Sequence, residues 1–352
     1  MQVDQDKLNA FMGKFVADIG AAAHGVTVLI GEKLGLFKAM AAGGPMTPAE
    51  LATKAGCAER YVREWLAAQA ASGFAEYAPA TGKYHLSPEQ AFALADESSP
   101  AYVPGAYYVL SSLWKDEPRI AESVQSGKGM GWHEHHADLF VGTEKFFRPG
   151  YVANLVGSWL PALDGVEARL QSGGTIADVG CGHGVTSVLM AQAYPKSRIT
   201  GFDFHRPSIE RARAVAEAAG VADRCTFEVA PAKGFPGKDY DLVTFFDCLH
   251  DMGDPTGAAA HVYKSLKPGG TWMIVEPFAH DSTEQNLNPV GRVFYAASLC
   301  VCCPASLSQE VGAALGAQAG EARISDVVRK GGFKKVRRAA ETPFNMVLEA
   351  RK

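Results

Sequence analysis

IADVGCGHGVTS, residues 176–187, is the stretch on which the reading of this chain turns. A short apolar run carrying Asp178 ends in glycines at alternate positions, Gly180, Gly182 and Gly184, and then passes into helix-forming sequence. A glycine turn between strand and helix brings backbone N–H groups to a nucleotide at the helix N-terminus. The spacing here is G-x-G-x-G, whereas the dinucleotide fingerprint is G-x-G-x-x-G. Asp178 stands two residues before the first glycine, at the carboxyl end of the strand, where it repels a pyrophosphate and attracts a cation. Opposite unit charges a few ångströms apart near a protein surface attract by roughly 4 kcal/mol before desolvation.

Working outward, the next strand ends ITGFDF, which puts Asp203 about twenty residues past the glycines. An acid there accepts ribose hydroxyls, a feature shared with dinucleotide sites. S-adenosylmethionine carries an ammonium, a sulfonium and no phosphate, and it suits the combination. The plain alternative is an ordinary glycine turn with a solvated acid.

Two styles of sequence meet near residue 170. After it, strand-like runs alternate with helical ones: Thr175–Val179, Arg198–Asp203, Cys225–Ala230, Asp241–Asp247 and Thr271–Glu276, with helices near Thr186–Tyr194, Pro207–Ala219 and Thr256–Leu266. Two further runs, Lys334–Ala340 and Asn345–Ala350, flank a short turn and are expected to pair antiparallel. Before residue 170 the pattern is helical. MTPAELATKAG opens with a capping box, Thr47 to Glu50, and Pro48 at the first helical position. AERYVREWLAAQAASGF reads as a second helix and FAEYAPATGKYHLS as two short strands, together a winged helix.

A winged helix raises the question of DNA. From Gly43 to Ser99 four basic residues (Lys54, Arg60, Arg63, Lys83) face seven acidic ones, a net charge of −3, and phosphate binding needs a basic face. A packing and dimerisation scaffold is the preferred reading. The whole chain has 352 residues, 47% of them apolar, and a formal charge of −4. That is enough chain for two domains, with no electrostatic reason to expect nucleic acid or an anionic membrane. The beginning lacks the pattern of a signal peptide. The apolar stretch from Gly20 to Phe37 is interrupted by His24, Glu32 and Lys33, so no membrane span is expected. Seven cysteines without a regular framework suggest reduced thiols and a cytoplasmic protein.

From about Gly173 to the end, D-x-G-x-G-x-G, the strand ending in Asp203 and the closing GGFKKVRRAAETPFNMVLEARK resemble a class I S-adenosylmethionine-dependent methyltransferase. With the winged helix in front, the chain is similar to two-domain small-molecule methyltransferases. The resemblance implies an α/β, Rossmann-like seven-stranded sheet of order 3-2-1-4-5-7-6 with its last strand antiparallel. It also implies a homodimer formed through the N-terminal domain. The expected division is 1–125 (helical and winged-helix), 126–170 (a helical linker over the active site) and 171–352 (the cofactor domain). Cofactor contacts are expected from Asp178, Gly180, Cys181, Gly182, Gly184, Asp203, Phe204, Asp247 and Cys248. Phe147 or Tyr151, from the helix ahead of the sheet, is expected to pack on the methionine moiety. Many members carry an acid after the third strand for adenine. Here EVAPAKGFP offers only main chain and apolar surface, at Ala230 and Ala232.

Methyl transfer to a hydroxyl needs deprotonation, and FFDCLHDMGDP places His250 just beyond the fourth strand, where open α/β sheets bind ligands. Imidazole titrates near neutrality. Glu276, closing the fifth strand, is placed to orient it. His250 and Glu276 match the base and helper of plant small-phenol O-methyltransferases, although the usual tryptophan two residues on is Met252. Pocket lining, or capping of the helix at Asp254-Pro255, are the plainer roles for His250.

In GWHEHHADLFVGTEKFFRPGY, His133, His135 and His136 invite a metal reading, but the spacing does not fit H-E-x-x-H. A cover for the active site, walled by Trp132, Phe146, Phe147 and Tyr151, is preferred and no metal is expected. Cys300, Cys302 and Cys303, in a helical insertion from Asn286 to Gly320, read as buried thiols, and Cys181 as a small packing residue. Tyr107, Tyr108 and Trp114 suggest a pocket that welcomes apolar, planar groups. The resulting expectation is methylation of a small, partly apolar molecule, at oxygen with His250 as base. Carbon or nitrogen transfer without that base, or a winged-helix regulator sensing S-adenosylmethionine, are the alternatives.

Overall fold

A computed structural model describes residues 3–352, which divide into two compact units. The first comprises the residues up to Trp114 together with Ala137–Gly150; the second comprises Lys115–His136 and Tyr151–Lys352. The segment 126–170, expected as a linker, is therefore shared between them.

The first unit begins with the long helix α1 (Gln5–Lys33), capped by Asp4, and continues through α2 (Leu36–Gly43), α3 (Pro48–Ala55) and α4 (Glu59–Ala71). The Thr47 hydroxyl accepts from Glu50 N at 3.3 Å and the Glu50 carboxylate accepts from Thr47 N at 2.7 Å, so the α3 capping box is closed in both directions. The wing follows as β1 (Glu76–Ala78) and β2 (Lys83–His85), antiparallel with Tyr77 opposite Tyr84, and then α5 (Pro88–Leu94). Ser87 and Gln90 close a second capping box. Val28, Phe37, Met40, Leu51, Trp65 and Leu66 bury themselves in one core. Helices α6 (Gly105–Ser126) and α7 (Asp138–Asn154) complete this part, each with residues in both units.

The second unit is a seven-stranded sheet. Its strands are β3 (Thr175–Val179), β4 (Arg198–Asp203), β5 (Cys225–Val229), β6 (Tyr240–Phe246), β7 (Leu266–Pro277), β8 (Lys335–Glu341) and β9 (Asn345–Arg351). The order is β5-β4-β3-β6-β7-β9-β8, with β9 antiparallel to both its neighbours and the other pairs parallel. Counted within the sheet this is 3-2-1-4-5-7-6, the expected topology. Helices α8 (Val166–Gly173), α9 (Val185–Ala193), α10 (Arg206–Ala218), α11 (Pro255–Ser265) and α15 (Gly320–Lys330) accompany it. In the insertion, α12 (Thr283–Asn286) and α13 (Pro289–Ala297) lead through a π-helical turn, Ser298–Cys302, into α14 (Cys303–Leu307). The central strands are buried almost throughout, as a parallel sheet covered on both faces requires. Ala177, Val243, Phe245, Trp272, Ile274 and Leu348 form their core with residues from α11 and α15.

Candidate active site

The chain reverses from β3 into α9 through three left-handed glycines: Gly180 (φ +73°), Gly182 (φ +51°) and Gly184 (φ +80°). Gly184 is irreplaceable on two counts, since a Cβ there would also lie 2.8 Å from Phe227 and 2.9 Å from Ala212. Gly182 differs: a Cβ would meet only open space, so this is the turn's approachable face. Gly180 N and Cys181 N donate to Phe202 O, and Gly182 N donates to Asp203 Oδ2 at 3.0 Å, which ties the turn to β4.

Asp178 lies fully buried behind that turn. Its Oδ2 accepts from Thr186 Oγ1 at 2.7 Å and Ser187 Oγ at 2.6 Å, both in the first turn of α9. Its Oδ1 accepts from Thr244 Oγ1 at 3.0 Å, on the neighbouring strand and in direct register. Burial pushes this carboxyl up, while Ser187, Thr186 and Thr244 pull it back down only partly. The carboxylate therefore acts on the turn from behind, by charge and by anchoring the start of α9.

Asp203 is held by Gly182 N and, at 2.8 Å, by His205 N, and burial pushes it up too. The next residue, Phe204, is half exposed, and Ala230 is buried beyond β5. Cys181 is a buried thiol and Cys248 a partly buried one, and desolvation pushes both well up. The Sγ of Cys248 donates to Val179 O and lies where a Cβ on Gly180 would be. Both cysteines fill space under the turn.

Asp247, directly after β6, adopts φ +50°, a conformation that a non-glycine residue keeps only when its surroundings enforce it. They do: Tyr151 Oη donates to Oδ2 at 2.7 Å and Asn345 Nδ2 to Oδ1 at 2.8 Å. Burial, against the pull of Tyr151, pushes Asp247 up to about 8. The Tyr151 ring packs against Phe246 and Trp159, whereas Phe147 lies in the first unit, edge-on to Phe146.

The turn Leu249–Asp251 carries His250, which is buried. Its Nδ1–H donates to Glu276 Oε2 at 2.5 Å, and the other oxygen of Glu276 accepts from Leu249 N at 2.9 Å. Adjacent parallel strands make this inevitable: Phe246 pairs with Val275, so the residues following β6 meet the end of β7. Nε2 lies 3.0 Å from Asp251 Oδ1. Burial alone disfavours the imidazolium, but Asp251 and then Glu276 outweigh it and hold His250 well above its ordinary value.

Residues Trp132–Glu134 form a 3-10 turn, and the buried His135 donates from Nδ1 to Asp116 Oδ2 at 3.0 Å. Tyr108 donates to Glu32 within the first unit, and Trp114 is 71% exposed. Sequence reasoning missed the hydroxyl partners of Asp178 and the Tyr151–Asp247–Asn345 triangle. Thr186 and Ser187, directly after the glycines, were a readable signal; Asn345, 98 residues from Asp247, gave none.

Four acids thus stand at the carboxyl ends of four adjacent strands: Asp178 and Asp203 on β3 and β4, Asp247 just beyond β6, and Glu276 on β7. Residues 170–315 match the family model described as a methyltransferase domain, and residues 22–96 match that of an Rv2258c-like winged HTH domain. The chain carries a methyltransferase domain behind a winged helix. Over 131 residues it is 35% identical to the 27-O-demethylrifamycin SV methyltransferase of Amycolatopsis mediterranei, covering 35% of this chain and 48% of that one. Over 105 residues it is 31% identical to the ubiquinone/menaquinone biosynthesis C-methyltransferase of Desulfotalea psychrophila, covering 29% and 41%. The chain thus spans about half the length of the curated relatives it matches. Among solved structures, an O-methyltransferase-like protein from Nostoc punctiforme superposes with a TM-score of 0.74 at 21% identity, covering 97% of this chain and 98% of that one. Human N-acetylserotonin methyltransferase, solved with S-adenosylmethionine, superposes at 0.72 and 17% identity over 100% and 99%. Both likenesses span the winged helix and the methyltransferase domain together.

Proposed function

We propose that this protein is an S-adenosylmethionine-dependent methyltransferase acting on a small, partly apolar molecule, at oxygen, with His250 as general base. The observation that carries the cofactor assignment is the row of four acids around an open glycine turn. Asp178, Asp203 and Asp247, which desolvation pushes toward the neutral form, gain from a nearby cation and lose further from an anion. A sulfonium nucleotide relieves that row; a pyrophosphate aggravates it. Gly182 and Asp203 would receive the ribose, Ala230 and Ala232 the adenine, and the ends of β3 and β6 the methionine moiety. The cofactor supplies a methyl on a good leaving group, and the chain's task is to hold donor and acceptor in line. The test is calorimetry on the purified protein. S-adenosylhomocysteine binds at one equivalent and NAD does not; tight NAD binding with no response to S-adenosylhomocysteine would overturn the assignment.

The name of the rifamycin relative agrees with oxygen as acceptor, and the Nδ1 bond to Glu276 supports Nε2 as the proton-accepting atom. Asp251 and Glu276 favour the protonated imidazole, and the base role calls for release of that proton, a step that an incoming sulfonium favours by repulsion. The same upward shift favours a second reading, transfer to carbon or nitrogen with no base role for His250.

The N-terminal unit serves as scaffold and dimer interface in this reading, with no nucleic acid partner. On α4, Arg60 pairs with Glu64 and Arg63 with Glu59, each at 2.5 Å, which leaves the helix without a basic face. Along α1, Phe11, Phe15, Val16 and Ile19 are exposed. Large apolar groups aligned on one helix call for a covering surface. By length and composition alone, α1 and the run Pro289–Leu307 could also cross a bilayer. A second copy of this chain is the proposed cover for α1. Light scattering is expected to give a dimer that Phe11→Glu with Phe15→Glu converts to monomer; a monomeric parent protein would refute it.

A further inference from the structure

The turn after β6 and the π-helical turn before α14 bring three ligating atoms together. His250 Nε2, Asp251 Oδ1 and Cys302 Sγ all lie within 4.8 Å of one another. His250 and Cys302 are buried, and so is Asp251 Oδ1, whose near polar neighbours are the other two ligating atoms, with Nε2 at 3.0 Å. The base role of His250 requires Nε2 alone, and the carboxylate and thiol gathered on that same nitrogen have no part in it. We infer that His250, Asp251 and Cys302 form a binding site for a thiophilic divalent cation of the zinc class, whose occupancy shuts off methyl transfer.

Three observations support it. The donor set of imidazole, thiolate and carboxylate suits Zn2+ in preference to Mg2+ or Ca2+, and three protein ligands with water in the fourth position make a tetrahedral site. Tetrahedral bonds of about 2.0–2.3 Å put neighbouring ligand atoms about 3–4 Å apart, so small side-chain movements close the triangle around an ion. Metal-bound histidines almost always give their other nitrogen to a carboxylate, which fixes ring and tautomer. Glu276 does this already, holding Nδ1–H and turning Nε2 toward Asp251 and Cys302. Finally, the two segments are locked to each other: Ser306 Oγ donates to Met252 O at 2.8 Å, Gln309 Nε2 to Asp251 O at 3.1 Å, and Ala313 N to Gly253 O at 2.9 Å. The π-helical turn Ser298–Cys302 ends on the cysteine in question, and single-turn π segments gather at functional sites.

Binding releases the thiol proton, and any proton on Nε2, to solvent; no electron moves. The ion then takes the Nε2 lone pair that an acceptor hydroxyl would need, so ion and base catalysis exclude each other. That last step rests on the base role proposed above, and the site itself does not.

The test begins with protein stripped by chelator and titrated with Co2+. One equivalent is expected to produce a thiolate-to-cobalt charge-transfer band with tetrahedral d–d absorption, and Zn2+ to displace it. Cys302→Ser abolishes the charge-transfer band, Cys300→Ser and Cys303→Ser keep it, and Glu276→Gln weakens binding about 10–100-fold. Binding of S-adenosylhomocysteine checks that every variant is folded. With a methylated acceptor in hand, Zn2+ inhibits the parent protein, chelator restores it, and Cys302→Ser is active and resistant. No band at one equivalent, or a band that survives Cys302→Ser, overturns the site. A band of the expected stoichiometry with no inhibition keeps the site and overturns the shut-off, and with it the base role of Nε2.

Discussion

Replacing His250 with glutamine slows methyl transfer by at least tenfold, and as far as the roughly 10²–10⁴-fold that a positioned base supplies, while affinity for S-adenosylhomocysteine is unchanged. Glutamine retains a group that can donate to Glu276 Oε2, and Glu276 keeps its second bond to Leu249 N, so the turn is expected to hold its shape. What is lost is Nε2, the nitrogen proposed as the base. Single-turnover rates with a hydroxyl acceptor measure this directly, because they separate chemistry from product release. Glu276→Gln is expected to slow the same step by less, since it disturbs the imidazole's tautomer and leaves the ring in place. An unchanged single-turnover rate in His250→Gln removes the base and leaves transfer to carbon or nitrogen, or simple pocket lining, as the role.

The second large effect falls on Asp178. Changing it to asparagine keeps the shape and removes the charge, and cofactor affinity is expected to drop at least tenfold. Opposite charges a few ångströms apart near a surface attract by roughly 4 kcal/mol before desolvation, and a drop of tenfold needs about 1.4 kcal/mol of that. Changing it to alanine adds a structural loss. Three hydroxyls, on Thr186, Ser187 and Thr244, donate to this one carboxylate inside the core. Each buried donor left without its acceptor costs about 1–3 kcal/mol, so Asp178→Ala is expected to lower the thermal midpoint by roughly 5–10 °C. Comparing the two variants separates charge from anchoring. Full affinity for S-adenosylhomocysteine in a folded Asp178→Asn protein would mean that the acid only anchors the start of α9.

Most elements of the second unit were readable to within a residue; β7 was not, since it begins at Leu266, five residues before the apolar run at Thr271. β3 and β4 begin and end where the apolar runs do, and the helices between them fall within a residue of the amphipathic stretches. Local signals suffice there, because a parallel sheet needs continuous apolar runs bounded by turns. The capping box at Thr47 was equally plain, since all its atoms lie within four residues. The histidine cluster was not: GWHEHH lies in the stretch expected as a helical linker, yet Trp132–Glu134 form a 3-10 turn and His135 bonds Asp116, nineteen residues earlier. Cys302 gave no hint of His250, because a π-helical turn aims its side chain and no pattern in the chain foretells one.

From the order of residues alone came the strand–glycine–helix turn, the acid ahead of it, the histidine after the fourth strand and the winged helix in front. Each is a local property, written in side-chain alternation, glycine placement and capping residues that act over a few positions. The fold in space settled what those groups touch. It hid Asp178 behind three hydroxyls, gave Asp247 to Tyr151 and Asn345, set Glu276 against the imidazole, and brought a thiol and a carboxylate oxygen to the opposite nitrogen. Those contacts join residues up to 98 positions apart, so only the register of neighbouring strands and the packing of inserted helices could create them.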